Sequence, residues 1–115
     1  MSNTHNRIQA ESLEVAEAGG VKAHRFVGFG GAYVASDGDV VYGVARTDGN
    51  KGEVIAVDVQ GRLLVEAAAA IARGAAVESD DAGKAQTRTG THAIAGYALT
   101  AASAGGEIIE IVRGI

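Results

Sequence analysis

The fold class is decided by residues 53–59, which read EVIAVDV. This stretch is rich in β-branched residues and partly alternates apolar with small or charged positions, which is typical of a half-buried strand. Gln60-Gly61-Arg62 follows as a predicted turn, and residues 63–65 (LLV) form the next predicted strand. The stretch therefore predicts a mainly β protein.

Short apolar runs separated by turn signals lie on both sides of this stretch. Asp37-Gly38 stands between two apolar runs, and Asp-Gly in that position is a strong hairpin signal. Turn signals recur every 8 to 15 residues or so, which predicts a small single-domain β-barrel or sandwich. Further strands are predicted at residues 13–15, 25–27, 32–35, 40–45, 75–78, 87–89, 93–99 and 107–113.

Two segments depart from the β pattern. Residues 66–73 are rich in alanine and Gly74 follows at a C-cap position, so one short helix is predicted there, docked on the sheet. Residues 1–12 are polar and carry Ile8 as an isolated large apolar residue, which predicts an N-terminal arm. Such an arm either frays or becomes ordered on a neighbour. Residues 13–115 form the predicted β domain.

The apolar content consists largely of small side chains. The chain has 23 alanines against 25 valines, isoleucines and leucines, and five aromatic residues. Burying an alanine removes little apolar area, and each Å² contributes roughly 25 cal/mol. A thin core is therefore expected, with additional burial supplied by partner molecules.

Charge and composition disfavour several classes of protein. The net charge is −4 and the basic residues are scattered, which argues against a nucleic-acid-binding surface. Cysteine is absent, so neither a disulfide framework nor a thiolate zinc site is expected. The N-terminus is polar and no long apolar run is present, so we expect no signal peptide and no membrane contact.

Motifs that carry chemistry have simpler explanations here. His5, His24 and His92 lack metal-ligand spacing, and no serine lies in a Gly-x-Ser-x-Gly motif. The run GFGG at residues 28–31 precedes a predicted strand, whereas a dinucleotide-binding loop opens a helix. Residues 79–83 (SDDAG) lack the full order of a calcium loop. We expect no catalytic residues, no metal and no cofactor.

Candidate interface residues come from the few large apolar side chains around the glycine-rich turns. Aromatic residues are default core residues, but one or two would be natural anchors at a subunit interface. The candidates are Ile8, Phe26, Phe29, Tyr33 and Tyr42.

Several segments in order resemble the capsid cement, or head decoration, proteins of tailed bacteriophages, which have a compact β-barrel-like fold. Each segment alone is short, and the resemblance lies in their order and spacing across residues 13–113. Ala23-His24 and Val77-Glu78-Ser79 depart from the usual pattern of the family. The segments are AGGVK at 18–22 with RFV at 25–27, YGVA at 42–45, KGEVIAV at 51–57, ARGAAV at 72–77 with DAGK at 81–84, and IAGYAL at 94–99 with AA at 101–102 and GEII at 106–109.

This resemblance implies a structural virion protein rather than an enzyme. Such a protein is made in the host cytoplasm, binds the major capsid protein on the outside of the assembled shell, and stabilises it, commonly as a homotrimer. A different class of function remains open, namely a ligand- or carbohydrate-binding β module whose site is shaped by the loops at residues 28–31 and 47–52.

Overall fold

A computed structural model describes residues 9–114, which form eight β-strands without a helix. The mainly β, barrel-like prediction is confirmed. The strands are β1 (Gln9–Glu14), β2 (Phe26–Val27), β3 (Gly43–Ala45), β4 (Val54–Glu66), β5 (Ala76–Ser79), β6 (Ala85–Thr87), β7 (Gly96–Ala98) and β8 (Ile108–Arg113).

Strand β4 organises the fold because it takes part in both halves of the sheet. β1 and β3 pair with its first half, and β8 pairs with its second half from Gly61 to Glu66. The predicted turn at residues 60–62 is therefore wrong, and one 13-residue strand passes through it. Gly61 has a φ of 103°, which glycine adopts without steric cost, and this residue stands where β4 changes partners.

The sheet is nearly closed into a barrel. Its strands follow the order β2-β3-β4-β8-β7-β5-β6, and every strand pairing is antiparallel. Ala85 on β6 forms a parallel bridge with Ala67, the residue directly after β4. This bridge returns the last strand of the order to the end of β4.

The β2–β3 ribbon separates two hydrophobic clusters. Phe26 and Val44 face the larger cluster, whereas Val27 and Ala45, the next residue on each strand, face the smaller one. This division follows from the alternation of side chains along a strand. Small side chains are prominent, since six of the 21 buried hydrophobic residues between positions 9 and 114 are alanine, so little apolar area is buried at those positions.

The helix predicted at residues 66–73 is wrong. Glu66 ends β4, Ala67 and Ile71 form single bridges to other segments, and both are buried. Their backbone N–H groups donate to the carbonyls of Glu107 and Ala102, respectively. A two-turn helix is marginal alone, and here hydrogen bonds to distant segments replace those that a helix would make within itself.

The predicted arm is only partly covered by the described residues. Residues 9–12 belong to β1 and pair with β4 from Gln60 to Ala56, although their side chains stay exposed. Residues 1–8, including the candidate Ile8, lie outside the described residues. The division of the chain at residues 12 and 13 stays a prediction.

Candidate functional site

The aromatic candidates differ sharply in their surroundings. Phe29 is 65% exposed, and its ring centroid lies 5.2 Å from that of the half-buried Tyr42. Phe26 is fully buried in the larger core, so its ring offers no exposed surface in this chain. Tyr33 has a local structural role, since its hydroxyl accepts a hydrogen bond from the Lys22 N–H and its N–H donates to Glu17.

Two exposed aliphatic residues lie on the segments next to this aromatic pair. Val40 is 62% exposed and is separated from Tyr42 by the buried Val41, while Ile94 is 43% exposed. The segments that carry Val40 and Ile94 are neighbours, because the Ala93 N–H donates to the Gly38 carbonyl. We call Phe29, Val40, Tyr42 and Ile94 the apolar patch.

The guanidinium of Arg113 fastens the patch segments to the barrel. It donates to the carbonyl oxygens of Val59 at 3.0 Å, Ala95 at 3.3 Å and Val41 at 2.9 Å. Burial lowers the pKa of Arg113. Arg113 therefore joins β8, β4 and the two loops on which Val40 and Ile94 stand.

A buried carboxylate holds the neighbouring loop. Glu78 is 1% exposed; its oxygens accept hydrogen bonds from the Thr89 N–H and the Gln86 amide and lie 2.8 Å from Nδ1 of His92. Burial acts to raise the pKa of Glu78, but these three hydrogen bonds and the charge of His92 hold it below its usual range. Gly38 lies against the His92 ring, where a Cβ would come within 2.3 Å of the ring atoms.

A separate cleft of about 390 Å³ lies between residues 17–22 and 48–50. Part of its wall is the predicted loop at residues 47–52. Both carboxylates that line it already bind backbone groups, since Glu17 accepts from the Tyr33 N–H and Asp48 accepts from the Ala23 N–H. The other lining residues are Gly19, Gly20, Val21, Lys22, Arg25, Tyr33, Gly49 and Asn50.

Two classes of site are not seen in the part of the chain that the structure describes. No group of three or more histidine, aspartate or glutamate side chains in residues 9–114 is placed to hold a metal ion. Across the same residues, no helix is long and apolar enough to cross a membrane.

A nearly closed β domain with an exposed apolar patch fits the class of structural and binding proteins. Within that class, the chain belongs to the phage cement protein family, whose sequence profile matches residues 7–114. The resemblance seen in the sequence is thereby confirmed. Membership in this family gives the chain a capsid-associated structural role in the phage virion.

Solved structures support the fold. The chain is similar to the crystal structure of the head fiber gp8.5 N base in bacteriophage phi29, with a TM-score of 0.71 and 21% sequence identity. The match covers 92% of this chain and 95% of that chain. No curated protein matches the sequence.

Sequence reasoning selected aromatic residues by type and therefore missed the polar groups that position them. Arg113 reads as an ordinary charge at the end of a strand, and Glu78 as the end of another. Their roles depend on partners 18 to 72 residues away for Arg113 and 8 to 14 residues away for Glu78. For the patch residue Val40 the sequence does hold a signal, which is the run Val40-Val41 in a predicted strand. Side chains alternate along a strand, so one of these two valines is expected to face outward.

Proposed function

We propose that this protein binds the outer surface of the assembled capsid and stabilises the shell, with the major capsid protein as its partner. The observation that carries the proposal is the apolar patch, a set of exposed and half-buried apolar residues on neighbouring segments that hydrogen bonds of Arg113 and Glu78 fasten. Exposed aromatic and aliphatic residues in one cluster mark interaction surfaces on small proteins. The proposed role is mechanical and needs no enzymatic activity.

Stabilisation follows from selective binding. A protein that binds only the assembled shell favours that state over dissociated subunits by mass action. Each copy contributes a modest amount, and many copies on one lattice add up. The central aromatic contact is expected to carry much of the binding energy, since large, rigid side chains dominate most interfaces.

The direct test is cosedimentation of purified protein with undecorated, expanded heads of the same phage. The wild-type protein should sediment with the heads, and Phe29→Ala should bind at least about tenfold more weakly because one aromatic anchor is lost. Val54→Ala is the matched control, since Val54 is 67% exposed on the first half of β4, outside the patch. No binding by the wild-type protein, or an equal loss in both variants, would refute the proposal.

Homotrimer formation is the finer part of the proposal. The family resemblance supports it, and a three-fold cluster would give each copy two neighbours and additional burial for a core rich in alanine. Mass measurement of the free protein, and counting of copies on decorated heads, would test it. Copy numbers that do not group in threes would contradict the trimer and leave shell binding intact.

The N-terminal segment is proposed to act as an arm on the shell. Deletion of residues 1–8 is then expected to weaken binding to heads while the thermal midpoint of the free protein stays nearly unchanged. A large drop in that midpoint would show instead that the segment belongs to the folded domain.

The cleft favours a second candidate function, which is binding of a small polar ligand such as a carbohydrate. Its wall includes the predicted loop residues Asp48, Gly49 and Asn50. Titration calorimetry against a panel of glycans would test this candidate, with Asp48→Ala as the site variant. Binding of a glycan that this variant abolishes would support it; heat-silent titrations across the panel would exclude it for those glycans.

A further inference from the structure

The outer face of the second half of the sheet carries exposed apolar residues that the apolar patch does not include. Directly opposed residues of paired strands share a face, so Arg62 stands beside Val112 and Leu64 beside Glu110. Leu64 is 49% exposed and Val112 is half-buried. We call these four residues the β4–β8 face.

The β4–β8 face has a regular arrangement of charge. Its four residues occupy the corners of a rectangle of roughly 5 by 7 Å, set by the spacing between strands and between alternate residues. The two apolar residues lie on one diagonal, and the two opposite charges lie on the other. Within the described residues, neither Arg62 nor Glu110 takes part in an ion pair within 4.0 Å.

This arrangement is self-complementary. When a second copy is placed on the face about a two-fold axis along the Leu64–Val112 diagonal, each apolar residue meets its own counterpart. The same rotation places Arg62 of each copy over Glu110 of the other, offset by about 3 Å at the spacings above. The strands would cross at roughly 70°, closer to the orthogonal than to the aligned way in which sheets pack.

We propose that the β4–β8 face is a two-fold contact between two copies of this chain, in which Leu64 and Val112 form the centre and Arg62 pairs with Glu110 twice. The contact is isologous, because the same surface is used on both sides. It lies outside the apolar patch, so a copy bound to the shell keeps this face for a neighbouring copy. On a shell, it would join copies that belong to different three-fold clusters.

The experiment exchanges the two charges and measures self-association by sedimentation equilibrium. Arg62→Glu places two glutamates together at both contacts, and Glu110→Arg places two arginines together. Because juxtaposed like charges cost several kcal/mol, each single variant should associate on the order of 100-fold more weakly. The double variant R62E/E110R should recover association.

A mixture of the two single variants separates a contact between copies from one within a chain. In a mixed pair, the glutamate introduced in one copy meets the arginine introduced in the other, and the second contact keeps its original Arg62 and Glu110, so association should return on mixing. Recovery in the double variant without recovery in the mixture would show that the two charges interact inside one chain, which overturns the proposal. Wild-type protein that shows no paired species up to about 1 mM would also overturn it.

The apolar centre has its own matched pair of variants. Leu64→Ser should weaken association at least about tenfold, whereas Val54→Ser should not, although Val54 is even more exposed at 67% on the first half of β4. An equal effect of both would point to nonspecific hydrophobic association and contradict the proposal. Head binding is measured separately, so that failure of the two-fold contact and failure of shell binding are distinguishable.

Discussion

Replacement of Arg113 by methionine removes the connection between the barrel and the patch-bearing loops. Methionine keeps a long apolar stem but donates no hydrogen bond, so the carbonyls of Val59, Ala95 and Val41 lose their shared donor. Hydrogen bonds from a charged donor contribute roughly 1.5 to 3 kcal/mol each. Arg113 is half-buried, so water can replace part of the lost hydrogen-bond energy. Removing a partly buried charge also offsets part of the loss.

We therefore expect Arg113→Met to lower the free energy of unfolding by about 3 kcal/mol. The entropy of unfolding is roughly 2 cal/mol/K per residue near the midpoint, so the midpoint of a 115-residue chain should fall by about 12 °C. Arg113→Lys should lie between the wild type and Arg113→Met, because lysine keeps the charge but lacks the planar fork that reaches three acceptors.

The assay is urea denaturation, fitted with the same m value for all variants, and Arg73→Met is the control. Arg73 is exposed in the turn that precedes β5, so its replacement should change the free energy of unfolding by less than about 0.5 kcal/mol. A loss of less than about 1 kcal/mol in Arg113→Met, or a loss no larger than in the control, would show that Arg113 does not fasten these loops. Cosedimentation with heads should weaken as well, since Val40 and Ile94 lie next to two of the released carbonyls.

Three further changes test the buried contacts. The pKa of Glu78 in the folded protein is below its usual value, so the unfolded chain binds a proton at this carboxylate more readily. The free energy of unfolding should therefore be highest above about pH 5 and fall as the pH drops through about 4. Glu78→Gln should flatten this pH dependence, as measured by urea titrations at several pH values. Gly38→Ala should cost about 2 kcal/mol, from a φ of +79° and a methyl group against the His92 ring, and less in a His92→Ala background. Ala67→Val should overpack the fully buried site at the barrel closure and lower the free energy of unfolding by about 1 to 3 kcal/mol. Ala70→Val, at an exposed position, should leave thermal unfolding nearly unchanged.

Periodicity predicted the strand content of this protein because burial alternates along β4. Ile55, Val57, Leu63 and Val65 lie on one side and are all buried, and this period of two is readable from the sequence. The error at Gly61 has a physical cause, since a glycine between polar residues favours a turn locally. The pairing with β8 beyond Gly61 depends on residues about 50 positions away and leaves no local trace.

The wrong helix shows the opposite limit. Alanine favours a helix by intrinsic propensity, but it is also the side chain that fits where backbones approach closely. Ala67 is fully buried and bridges Ala85, and a Cβ added at Gly105 would lie 2.5 Å from the Ala68 carbonyl oxygen. Propensity is a weak prior when tertiary contacts supply backbone hydrogen bonds. Ala67 and Ala68 therefore lie where segments pack closely, and not in a helix.

The small size of the alanine side chains in the core also explains why polar contacts help to position the apolar patch. A core that uses alanine at six of 21 buried hydrophobic positions buries less area than leucine or isoleucine would provide there. The loops that carry Val40 and Ile94 are attached to the larger core by the small buried side chains of Val41 and Ala95. Arg113 and Glu78 add directional hydrogen bonds to these loops and to the neighbouring one. Loss of such a bond releases a loop without dissolving the barrel, because local segments open at lower free energy than the whole domain. Binding to the shell should therefore be lost in Glu78 and Arg113 variants at temperatures where the strands are still intact.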